Sequence, residues 1–300
     1  MIKLPPSVNI SKLLDDLKNI SWEASESLLK YEQMIKDTNN KSKLLKNNNI
    51  QDPVTIADLE VNEIIINRIN ENYKNICWEI LSEENVKVNS DSNNFNEDFV
   101  WVLDPLDGTK DFIQGTGNYA MHLALNYKKC PHLGIVLIPD KDELWISNNE
   151  IVWCENKIGD SKRPNLSNKS NLNEMIIVTS KNHKNQVLKN LIERANFKEV
   201  IVMGSIGCKI ASILRGESDI YICLSLPGES SPKDWDFAAP ASTLKTAGGA
   251  ITNINNEELT YGNLNYEQGG IIVASSNQNS HERICLQIKE IIKNYNLYPL

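Results

Sequence analysis

Phe99-Val-Trp-Val-Leu103 runs directly into Asp104-Pro105-Leu106-Asp107-Gly108-Thr109. The first five residues are apolar, aromatic or β-branched, which predicts a buried strand. The next six turn the chain: Pro105 stiffens it, and Gly108 permits close backbone approach. Two carboxylates three residues apart in one turn can face a single point, and hard divalent cations such as magnesium favour such oxygen-rich points. Gly108 and Thr109 then offer backbone N–H groups at the start of a following helix, a natural cradle for phosphate. Thr109 adds a hydroxyl able to position water. The same spacing also occurs in capped turns with solvated acids and in calcium loops, so the hexad alone leaves those readings open.

Three more acidic groups share the setting of an apolar segment that meets a turn or a helix start. Glu83 and Glu84 follow Ile80-Leu81-Ser82, Asp58 lies where a second helix begins, and Asp236 follows Trp235 ahead of an Ala-rich helix. Carboxylates at element ends can converge without being buried unpaired. Two of them also have a plainer reading. Asp236 would serve as an ordinary helix N-cap, with Pro240 in the first turn, and Glu83-Glu84 as a solvated acidic pair.

Around these positions, apolar periodicity predicts a helix over 11–34 and another from Thr55 or Asp58. Strands are predicted over 76–81, 99–103, 121–127, 133–138 and 144–147, the last three as a meander. A polar connection over 159–172 reads as a boundary between two subdomains, 1–160 and 161–300. Beyond it the chain alternates: strands at 175–179, 199–203, 219–224 and 271–274, helices at 185–195, 207–215, 238–247 and 282–292. Gly248-Gly249 is a natural helix stop. Mixed hairpin and crossover connections predict a layered α+β fold.

The chain has 300 residues, 31 Lys and Arg against 39 Asp and Glu, and a formal charge of −8. No basic stripe is present, which argues against nucleic-acid polymers as partners. An acidic protein can still bind an anionic substrate when divalent cations sit between its carboxylates and a phosphate. Six scattered cysteines without a CxxC pair suggest neither a zinc ribbon nor a disulfide framework. Buried thiols in a reducing compartment are expected. Met1-Ile-Lys-Leu-Pro-Pro6 lacks the apolar core of a signal peptide, and no apolar run reaches transmembrane length, so the expected location is cytoplasmic.

Taken together, Asp52-Pro-Val-Thr-Ile-Ala-Asp58, Ser82-Glu83-Glu84, Trp101-Val-Leu-Asp-Pro-Leu-Asp-Gly-Thr-Lys-Asp-Phe112 and Trp235-Asp-Phe-Ala-Ala-Pro240 resemble, in order, the motifs of the inositol monophosphatase superfamily. Within it, Gly108-Thr-Lys-Asp-Phe112 is similar to the 3′(2′),5′-bisphosphate nucleotidase branch, where Lys-Glu-Phe is usual and Asp111 departs by one methylene. Val202-Met-Gly-Ser-Ile-Gly-Cys-Lys209 and Thr179-Ser-Lys-Asn-His183 also resemble that branch, with Lys181 and Asn182 as departures. The resemblance implies an α/β/α/β/α sandwich and two or three magnesium ions held by Glu83, Asp104, Asp107, Asp236 and the Leu106 carbonyl. It implies a water held by Glu83 and Thr109, phosphate held by Gly108 and Thr109, and Asp58 near a third metal or a water network. His183, Ser205 and Lys209, with Asp236, would face the nucleotide. The implied reaction takes 3′-phosphoadenosine 5′-phosphate to AMP and phosphate, with 3′-phosphoadenosine 5′-phosphosulfate as a further substrate, lithium sensitivity, and a monomer or homodimer. An inositol monophosphatase or sugar bisphosphatase on the same metals, and an inactive nucleotide-binding relative, are the alternatives.

Overall fold

The computed structural model describes residues 3–36, 56–88, 97–180 and 186–299. Two sheets and three helical layers stack as α/β/α/β/α. The first sheet has seven strands in sequence order: β1 (Glu79–Ser82), β2 (Phe99–Asp107), β3 (Ala120–Tyr127), β4 (Cys130–Ile138), β5 (Glu143–Ser147), β6 (Val152–Glu155) and β7 (Ser161–Lys162). β1 and β2 are parallel, and the rest form an antiparallel meander. The second sheet has five strands: β8 (Ile176–Thr179), β9 (Glu199–Val202), β10 (Ile220–Leu224), β11 (Ala250–Asn253) and β12 (Ile271–Ser275). Their spatial order is β11-β12-β10-β8-β9.

Strand alternation sorts the side chains into separate cores. On the outer face of the first sheet, Trp101, Leu103, Met121, Leu123, Leu125, Ile135 and Leu137 pack under helices α1 (Ile10–Lys36) and α2 (Ile56–Asn72). Their intervening neighbours, among them Val102, Ala124 and Val136, face a central layer of α6 (Ile206–Leu214) and α7 (Asp234–Thr246). That layer also covers the inner face of the second sheet through Val178, Tyr221, Cys223 and Ile272. Ile177, Ile222 and Val273 point the other way, onto α5 (Gln186–Ala195) and α8 (His281–Tyr295). Two short helices, α3 (Glu83–Val88) and α4 (Thr109–Gln114), sit at the ends of β1 and β2. Among the described residues no helix is long and apolar enough to cross a membrane.

Several elements differ from the sequence reading. The strand expected to end at Leu103 runs on through Asp107. The Ala-rich helix begins at Asp234, so Asp236 lies inside its first turn and Pro240 falls in the second. Glu83 and Glu84 open a helix, and Glu84 is buried. Cys154, Cys208, Cys223 and Cys285 are buried, whereas Cys77 and Cys130 are exposed, and all are free thiols.

Candidate active site

The geometry of the hexad comes from an irregularity in β2. Asp104 pairs with His122 and Asp107 with Ala120, so three steps on β2 oppose two on β3. In a regular strand, residues three apart face opposite sides. One extra residue restores the phase, and Asp104 and Asp107 reach the same point. Asp236, from the first turn of α7, joins them. Among the described residues these three carboxylates form a cluster whose nearest oxygens lie within 4.8 Å of one another.

Each carboxylate is held by the chain around it. Asp104 Oδ1 accepts from the Leu106 N–H at 3.1 Å. Asp107 Oδ2 accepts from Ser205 Oγ at 2.7 Å, from the Gly207 N–H at 3.2 Å and from the Ile206 N–H, so it sits on the positive end of α6. Asp236 Oδ2 accepts the Lys233 N–H at 2.6 Å, closing the first turn of α7. Glu83 lies close enough to Asp104 to act on its charge, and Lys87 lies 2.9 Å from Glu83 and 3.0 Å from Glu84.

Burial pushes the Asp104 carboxyl well above its ordinary range, and repulsion from Glu83, Asp107, Asp236 and Asp58 adds to it. Asp236 is raised in the same way, by burial and then by Asp107 and Glu83. Glu83 is raised by burial against the opposing pull of Lys87. A hard divalent cation relieves such crowding among oxygen donors, so the donor set fits one.

Gly108 takes φ +90°, a left-handed conformation open to glycine at little strain. A Cβ there would stand 2.9 Å from the Asn118 carbonyl oxygen. This turn starts α4 at Thr109, leaving first-turn N–H groups without intrahelical acceptors. Thr109 Oγ1 donates to the Leu106 carbonyl at 3.1 Å, which leaves its lone pairs able to accept a hydrogen from water. Leu106 is itself buried, and Lys110 is exposed. Asp58 is buried in the first turn of α2, near enough to raise Asp104.

The residues expected at a nucleotide fare differently. Ser205 caps α6: its hydroxyl accepts from the Cys208 N–H at 3.1 Å and donates to Asp107. It therefore serves the carboxylate site directly. Lys209 is buried, not on the helix surface, with Nζ 3.0 Å from the Ser205 carbonyl and over the Tyr221 ring. Burial pushes its pKa down. His183 and the segment 52–55 lie outside the described residues. The sequence reading missed His122, fully buried on β3 beside Asp107. Its only signal is alternation, which sets a titratable residue at an inward position between Ala120 and Ala124.

Residues 10–293 match the inositol monophosphatase family. A 3′(2′),5′-bisphosphate nucleotidase CysQ of Buchnera aphidicola is 31% identical over 218 residues, which cover 71% of this chain and 74% of the relative. An inositol-1-monophosphatase of Bacillus subtilis is 27% identical over 216 residues, with coverage of 71% and 77%. Inositol monophosphatase-II of Staphylococcus aureus superposes with a TM-score of 0.72 over 96% of this chain and 97% of that one, at 22% identity. With a carboxylate cluster suited to a cation at the bulged end of β2 and a match over almost its whole length, the chain belongs to the inositol monophosphatase family of metal-dependent phosphatases.

Proposed function

We propose that this protein is a magnesium-dependent phosphomonoesterase that removes the 3′-phosphate of 3′-phosphoadenosine 5′-phosphate, giving AMP and phosphate, with the corresponding phosphosulfate as a further substrate. The observation that carries the substrate assignment is the likeness to a 3′(2′),5′-bisphosphate nucleotidase at 31% identity, and Lys110-Asp111-Phe112 after the hexad agrees with it.

In this reading Glu83, Asp104, Asp107, Asp236 and the Leu106 carbonyl hold the cations, with Asp58 close behind. Bound magnesium supplies an acidified water and charge stabilisation at the attacking and departing oxygens. Glu83 and the Thr109 hydroxyl accept hydrogens from the attacking water and orient its lone pair toward phosphorus. The Gly108 and Thr109 N–H groups hold phosphate oxygens at the head of α4. Water attacks in line as the P–O bond to the ribose breaks, and the departing oxygen takes a proton from solvent. Ser205 and Lys209 shape the wall on the leaving-group side, Ser205 through Asp107 and Lys209 through the Ser205 carbonyl.

Similarity to the Bacillus subtilis inositol-1-monophosphatase favours a second reading, an inositol phosphate leaving group on the same carboxylates. A phosphate-release panel with magnesium compares the nucleotide bisphosphate, inositol 1-phosphate and fructose 1,6-bisphosphate. The nucleotide is expected to give the highest kcat/KM. A far higher value for inositol 1-phosphate would overturn the nucleotide assignment, and no release from any substrate would overturn the phosphatase mechanism.

A further inference from the structure

We infer that His122 is a positioning residue for the metal site, a rigid strut that fixes Asp107 and Asp236 relative to one another from behind. The ring is fully buried in the middle of β3, and the reaction above gives it no part. Nε2 lies 3.4 Å from Asp107 Oδ2, and Nδ1 lies 3.4 Å from the carbonyl oxygen of Trp235. Trp235 immediately precedes Asp236 in α7. His122 is also the register partner of Asp104 across the sheet. One ring thus adjoins all three clustered carboxylates, by contact, by sequence neighbour or by strand pairing.

The surrounding packing holds the ring in place. A Cβ on Gly207 would fall 2.2 Å from His122 Nε2, so the imidazole lies against a bare Cα whose own N–H donates to Asp107. An alanine at 207 would drive the ring off the carboxylate. A buried imidazole is costly unless its nitrogens find partners. Here Nδ1 and Nε2 each lie 3.4 Å from an acceptor, longer than a well-formed hydrogen bond. Nε2 has no hydrogen-bond partner among the described residues, and a neutral ring can donate to only one of the two acceptors. Such contacts often tighten once a site is loaded. Groups behind a metal ligand set its orientation, and their loss weakens the metal without removing a ligand.

This inference rests on the proposed reading of Asp107 and Asp236 as cation ligands. Calorimetric titration with Mg2+ and Mn2+ would compare wild type, His122→Asn and His122→Gln, with near-UV circular dichroism checking each fold. Asparagine extends only as far as Nδ1, whereas glutamine reaches the position of Nε2. Each variant keeps only one end of the strut, so the expected result is cation binding about 10–100-fold weaker in both. Wild-type affinity in either variant, with the fold intact, overturns the strut. Absence of cation binding by wild type overturns the ligand assignment and the strut with it. Wild-type protein with 15N-labelled imidazoles supplies a measurement independent of the variants. The His122 ring signals should move with the same half-saturation as cation binding while those of His281 stay fixed, and immobile His122 signals overturn the inference.

Discussion

The hydrogen bonds that Asp107 accepts fall on Oδ2, from Ser205, Ile206 and Gly207, so on the proposed reading Oδ1 is the oxygen that meets a cation. In Asp107→Asn the amide oxygen must face those donors, which turns the NH2 group toward the cation position. The fold should persist, with native near-UV circular dichroism, while kcat/KM falls at least about 100-fold, the upper end of losses from merely supporting residues. Near-wild-type turnover would remove Asp107 from the ligand set. Thr109 offers a second residue test. Thr109→Val keeps the shape but loses the hydroxyl oxygen that accepts from water, and should lower kcat about 100-fold, whereas Thr109→Ser should retain most activity. Equal rates for the two variants would show that the hydroxyl does no work on the water. Asp104, Asp107 and Thr109 are legible in the sequence because the chemistry is compressed into six consecutive residues. His122 is not, since its relation to Asp107 exists only through the β2 bulge and the pairing of β2 with β3.

Helix α8 is tied to the second sheet through its first residue, His281. The buried ring stands between Ser275 Oγ on β12, at 2.7 Å from Nδ1, and Thr252 Oγ1 on β11, at 2.8 Å from Nε2. Burial pushes its pKa down to about 4 from an ordinary 6.5. The folded state therefore holds the ring neutral, while the unfolded chain takes up a proton below about pH 6.5. This stabilisation is complete above that pH and declines as pH falls toward 4, a loss of about 2–3 kcal/mol by pH 4.5. Urea unfolding at pH 7.5 and 4.5 checks it: wild type should lose that much more than His281→Gln, and parallel losses would show that His281 titrates alike in both states. At this scale the long elements were legible, because β2 to β5 are apolar runs buried on both faces and α1 carries a helical apolar stripe. The missed ones are short, polar or edge-placed. The helix α3 has six residues and begins with two glutamates, and β11 is a four-residue edge strand after a glycine turn. The start of α7 was misplaced because Pro240 resembles a first-turn proline. In the structure Pro240 is buried, and packing in the central layer overrides that local signal.

The site gathers parts from separate layers: Asp104 and Asp107 end a strand of the first sheet, Asp236 belongs to the central helices, and Glu83 opens α3. Without a cation these carboxylates repel one another in a buried setting, which is why Asp104 and Asp236 are raised well above their ordinary range. On the proposed reading of these carboxylates as ligands, a bound cation would both neutralise them and bridge the layers, coupling stability to metal occupancy through the stack. At 100 times the dissociation constant, magnesium should stabilise the fold by about 2.7 kcal/mol. That corresponds to a rise in Tm of at least several degrees over protein in chelator. The sign reverses for charge removal. Asp107→Asn should show much less of the magnesium-dependent rise, and in chelator it should melt no lower than wild type, because one of the repelling carboxylates is gone and its amide oxygen still caps α6. Differential scanning calorimetry of both proteins, with magnesium and with chelator, reads all four states. A wild-type Tm indifferent to magnesium, or a variant melting far below wild type in chelator, would mean that the carboxylates are placed for the fold and not against it.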